Sequence, residues 1–170
     1  MANPPPLAEL QAALIVALTI GAPSPVGFDN ERIQAAATAL ADKRQRGIVR
    51  TWPSLAEDIG PQFCDCVRSY TQAHPLPSRG GSLADGRTLI RWLGKSQRLS
   101  DATRFQVMSV DLSHRMLPDG QLIQRTWPTI RIAWLGESRQ LVLAVHWSFL
   151  GEVWLKLPRL TVTVRRRVDA

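Results

Sequence analysis

The chain has 170 residues, 45% of them apolar, and 21 Lys and Arg against 14 Asp and Glu, a formal charge of +7. That length suits one domain or two small ones and buries roughly 70% of the surface an unfolded chain exposes, while the composition indicates neither a disordered chain nor a membrane span. Arginine supplies 18 of the 21 basic residues, and because its planar fork fits carboxylates and phosphates, the excess points to an anionic partner as readily as to codon bias.

Pro4, Pro5 and Pro6 preset the entry to a first helix over 7–20, where Leu7, Leu10, Leu14 and Leu18 form a stripe. This run is too short to span a bilayer, and no Lys or Arg precedes it as a signal peptide would require. Asp29 is a cap for a second helix to about Arg50, with alanines along it and Lys43, Arg44, Arg46 and Arg50 making its end basic. Trp52-Pro53 ends that helix, and Ser54 with Glu57 reads as a capping box for a short third one. Phe63, Val67 and Tyr70 continue at helical spacing to His74-Pro75. After a Pro/Gly loop, Ser82 or Asp85 caps a helix that turns Leu89, Trp92 and Leu93 inward. From Asp101 the period is ambiguous. Phe105, Met108, Leu112 and Met116 fit a helix, which the cap at Ser100 or Asp101 favours; Met108, Val110 and Leu112 also fit a strand turning back across Leu117–Gly120.

From Trp127 to Val164 the apolar residues recur with period two. Ile130, Ile132 and Trp134 share a face, then Leu141, Leu143, Val145 and Trp147, then Val153, Leu155 and Leu157, with a last β-prone run over 160–164. Helices followed by strands predict an α+β fold: an N-terminal helical bundle over 1–118 and a small antiparallel sheet of three to four strands over 119–170.

The two cysteines, Cys64 and Cys66, are too close for an unstrained disulfide and too few for a zinc site, so they read as small buried residues in a cytoplasmic protein. No phosphate loop, dinucleotide fingerprint, nucleophile elbow or His-Glu-x-x-His occurs, and His74, His114 and His146 have no ligand or acid placed beside them in sequence. The expectation is a non-catalytic protein with no metal or cofactor of its own. A sheet edge, however, takes an extended peptide by strand addition without any catalytic group. Arg131, Arg139 and Lys156 would attract an acidic peptide, with Trp134, Trp147 and Trp154 as anchors. The competing reading is nucleic-acid binding by the same basic, Trp-rich sheet and by Arg165-Arg166-Arg167.

The helical residues carry a more specific signal. Leu7-Ala8-Glu9-Leu10, Phe28-Asp29 with Arg32, Lys43-Arg44, Trp52-Pro53-Ser54-Leu55, Tyr70 with His74-Pro75, and Asp85-Gly86-Arg87-Thr88-Leu89-Ile90-Arg91-Trp92-Leu93, in that order and spacing, resemble the partner proteins of multinuclear non-haem iron-dependent oxidases. Those partners act in the modification of ribosomally made peptides, methanobactin biosynthesis among them. The resemblance implies a helical part docked on the oxidase, for which Arg87, Arg91 and Trp92 are the candidate contacts, and a sheet that binds the precursor's leader. It also implies that iron is held by the oxidase and that the partners are that enzyme and the precursor peptide, with no membrane.

Overall fold

The computed structural model describes residues 6–94, 97–136, 140–147 and 151–157 with their side chains, and 161–165 as backbone. Helix α1, Leu7–Ile20, starts after Pro6 and stops at Gly21, whose φ of 71° is free to a residue without Cβ. Helix α2, Asn30–Thr51, is capped as expected: the Asp29 carboxylate accepts from the amides of Glu31 and Arg32 at 2.9 and 3.3 Å. Helix α3, Pro53–Ile59, has Trp52 at its cap position and no side-chain cap bond, so the box expected at Ser54 and Glu57 does not form; Pro53 opens the helix instead, lacking the amide that a cap would satisfy. A short 3₁₀ turn over Gly60–Gln62 leads into α4, Phe63–Ala73, and a loop into α5, Gly81–Leu93. Neither Ser82 nor Asp85 caps α5. Gly80 holds that position at φ 94°, and Asp85 is turned into the protein. No helix among the described residues is long and apolar enough to cross a membrane.

Trp52 is the pivot of the helical core. Its ring is fully buried with Ile48, Leu55, Val67, Tyr70 and Leu89, and its Nε1 donates to the Leu83 carbonyl at 3.2 Å. Gly86 of α5 lies flat against the ring; a Cβ there would overlap the indole. Glycine mid-helix is therefore required by a close approach.

The ambiguous segment is helix α6, Asp101–Ser113, capped by Ser100 Oγ, which accepts from the Thr103 amide at 3.3 Å. Its period was mixed for a physical reason: both sides of it are buried. Val107 and Val110 join the helical core, while Phe105, Met108 and Leu112 join a second core beneath the sheet. The helix ends before Met116, which the helical spacing had included. Met116 lies in β1, His114–Met116, paired antiparallel with β2, Leu122–Gln124, around Gly120 at φ 85°. The turn that the strand alternative placed at Leu117–Gly120 is thus present, but the strand leading into it is His114–Met116, and the run through Leu112 is helix. The boundary expected at 118/119 falls inside this turn, and Leu122 beyond it is buried in the helical core.

Strands β3, Thr129–Leu135, β4, Gln140–Trp147, β5, Gly151–Leu157, and β6, Thr161–Arg165, form an antiparallel sheet in chain order. The fold is α+β, helices first and antiparallel sheets after, as the patterning predicts. Because side chains alternate across a strand, the register divides the sheet into two unlike faces, and α6 covers one of them.

Candidate functional site

The face turned away from α6 is apolar in β3, β4 and β5. Ile130 stands opposite Val145, which stands opposite Val153; Ile132, Leu143 and Leu155 make the next row, and Trp134, Leu141 and Leu157 the third. Trp147, opposite Gly151, extends it at one end. Among the described residues no helix lies on this face, and Ile130, Ile132, Trp134 and Trp147 are 64%, 66%, 59% and 42% exposed. A contiguous uncharged patch of this kind marks a contact surface more than a solvated one. Beside it β3 is an edge strand, pairing among the described residues with β4 alone.

The other face carries the charges. Arg131 and Lys156 alternate onto the α6 side, and Lys156 Nζ sits 5.5 Å from the centre of the Phe105 ring. Trp154, expected as an exposed anchor, is a core residue: it is 5% exposed, stacks on Phe105 at 4.2 Å between centroids, and donates its Nε1 to Glu152 Oε2 at 3.2 Å. Its parity puts it under α6, which needs a flat partner for Phe105. The six sheet residues singled out in the sequence therefore do not make one patch. Trp134 and Trp147 lie on the open face, Arg131, Trp154 and Lys156 on the covered one, and Arg139 falls outside the described residues.

Where α6 meets β4 and β5, a cleft of about 250 Å³ is lined by Ser109, Ser113, His114, His146 and Glu152 among others. Ser109 Oγ donates to Glu152 at 3.3 Å, and Ser113 Oγ lies 3.0 Å from His114 Nδ1. His146 is buried there with neither ring nitrogen hydrogen-bonded. Among the described residues no three His, Cys, Asp or Glu side chains converge as metal ligands do.

On the helical side, Arg87 is occupied. Its Nε and Nη2 both reach the Asp111 carboxylate at 2.9 Å, tying α5 to α6. Arg91 reaches the Pro118 carbonyl at 3.3 Å from an exposed position, and Trp92 is 42% exposed, its other side against Tyr70 and His74. Below them lies a buried network that sequence spacing did not disclose. Arg44 donates to both Asp85 oxygens, at 3.0 and 2.8 Å, and to the His74 carbonyl at 3.0 Å, while Tyr70 Oη donates to Asp85 Oδ1 at 2.8 Å. Burial, and after it the Asp85 carboxylate, pushes the Tyr70 phenol well above its ordinary range. Burial also raises the Cys66 thiol. Cys64, expected inside, is exposed and accepts from Gln45 Nε2 at 3.1 Å.

Residues 8–95, just over half of the chain, match the family described as SCO6045-like, C-terminal domain. A UPF0276 protein of Streptomyces avermitilis is 35% identical over 96 residues, which is 56% of this chain and 19% of that protein. The chain thus spans about a fifth of the length of the curated relative it matches. No solved structure matches it. The family match takes in α1 to α5 and ends before α6 and the sheet.

Proposed function

The chain belongs to the SCO6045-like C-terminal domain family, and from that premise we propose that it is a non-catalytic adaptor which joins a larger iron-dependent oxidase to a precursor peptide. The observation that carries this reading is one of proportion: the module matches a fifth of a much longer relative, and its family is described as a C-terminal domain. A unit that makes up so small a share of a longer protein fits a role beside a larger partner. The ordered helical motifs support an oxidase as that larger protein. Docking falls to the helices, where α1 turns Leu7, Ile15, Val16 and Ile20 outward and Arg91 and Trp92 reach the surface.

The precursor's leader adds as a strand to the β3 edge, its main chain pairing with β3 and its apolar side chains resting on Ile130, Ile132 and Trp134. Arg131, on the opposite face of the same strand, is placed for an acidic residue of the leader. Co-expression with a multinuclear non-haem iron-dependent oxidase and purification on a tag carried by this chain tests the first half. Loss of the oxidase at both low and moderate salt counts against an adaptor. For the second half, anisotropy of a labelled leader peptide should weaken at least tenfold on Trp134→Ala with Ile130→Ala; unchanged binding would return the sheet to a scaffold role.

A further inference from the structure

We propose that the cleft between α2 and the start of α5 is a binding site for a diphosphate group. Lys43, Arg46 and Arg50 stand at i, i+3 and i+7, on one face of α2. All three are exposed, and none makes an ion pair or hydrogen bond among the described residues, whereas Arg32, Arg44, Arg68 and Arg87 each hold an aspartate. Together with Gly47 and Ser82 they line a cleft of about 440 Å³, within the range of small-ligand sites. The acidic neighbour Asp42 lines a different groove, with Arg68 and Gln72. What remains in the cleft is donors and positive charge.

Two features of the backbone sharpen the chemistry. Gly47 has no side chain, and a Cβ on it would overlap the Ser82 hydroxyl, so α2 and the first turn of α5 are brought into contact at the basic face. That first turn has no side-chain cap and no acidic residue; the Leu83 and Ala84 amides donate to the Gly80 carbonyl, which leaves the amides of Gly81 and Ser82 and the partial positive charge of the helix end without a side-chain partner. Complementing the α2 dipole explains Arg50 alone, since Lys43 and Arg46 lie further from the helix end. From Lys43 to Arg50 the face runs about 10 Å, so three long cationic side chains can converge on a compact ligand carrying more than one phosphate. Arginine forks and a lysine point charge are the side chains that hold such groups.

This inference is independent of the adaptor reading. The test is titration of the full chain with pyrophosphate at constant ionic strength, followed by calorimetry and by amide shifts. Saturable binding, with the largest shifts at Gly81, Ser82 and the 43–50 segment, is expected, and Arg46→Gln with Arg50→Gln should weaken it at least tenfold without changing the far-UV circular dichroism. Equal binding by that double variant, or shifts centred elsewhere, would overturn the proposal. A single-stranded oligonucleotide separates the sources of phosphate: competition by pyrophosphate is expected, and an oligonucleotide bound without such competition would overturn the assignment to a diphosphate.

Discussion

Asp85, Gly86 and Arg87 are three successive residues with three separate structural tasks. Asp85 neutralises the buried Arg44, Gly86 admits the Trp52 ring, and Arg87 clamps Asp111 of α6. Asp85→Asn leaves a guanidinium buried without its counter-charge, so we expect a loss of about 3–5 kcal/mol, read from urea midpoints at unchanged m-value. Tyr70 shares the network and is the one tyrosine in the sequence, so tyrosinate absorbance reports it alone. Its folded pKa lies above the unfolded value of 10.0. Below pH 10 both states keep the proton and the contribution is complete; above it the unfolded chain ionises first, and stability falls as pH rises. No tyrosinate signal should therefore appear near pH 10 in the folded protein, and its onset should coincide with loss of helical signal. A conventional titration near 10 with the fold intact would contradict the buried placement. His146 is the opposite case, a polar ring whose nitrogens satisfy nothing. His146→Leu removes an unpaired group without removing a bond, so thermal unfolding should show a gain of about 1 kcal/mol or no change, where truncation of a bonded histidine would destabilise.

At the level of elements, α6 explains both what the sequence disclosed and what it hid. The helices α1 to α5 were legible from their prolines, glycines and helical spacing, and from the Asp29 cap of α2, although the caps expected for α3 and α5 do not form. The strand alternation was equally legible, because period two survives whichever face is covered. Which face is covered depends on a helix buried on both sides, whose apolar residues at 105, 107, 108, 110 and 112 fit neither period cleanly. That is why Trp154 looked like an anchor and proved to be core. The unpaired trio on α2 was visible as a basic helix end, but its meeting with Ser82 rests on Gly47, which carries no pattern. The Phe105–Trp154 stack gives a direct check on the assignment. Trp154→Ala should cost about 3–5 kcal/mol, and a double-mutant cycle with Phe105→Ala should return a coupling of about 0.5–1.5 kcal/mol. A Trp154→Ala variant of wild-type stability would place that tryptophan on the surface after all.

For the molecule as a whole, several of the motif residues singled out in the sequence also build the interior of the helical half. Arg44, Trp52, Tyr70, His74, Asp85 and Gly86 all meet inside the helical half, so the motif order is a signature of a packing arrangement. The open sheet face lies outside those motifs, whereas the outer side of α1 and the basic cleft each include a motif residue, Leu7 and Lys43. The same geometry fixes how the halves respond to stress. Helix α6 is a wall of both cores, and Leu122, from beyond the turn at 117–121, completes the helical one. Neither core can open without stripping a side of α6, so the chain should unfold in one transition rather than two. Leu89→Ala lies in the helical core and Met108→Ala in the sheet core, and each should cost about 2–5 kcal/mol. In both variants, helical circular dichroism and tryptophan fluorescence should shift to the same lowered midpoint. If Met108→Ala instead moved the fluorescence transition and left the helical one in place, the halves would be independent domains, and the sheet could be removed without disturbing the helical unit.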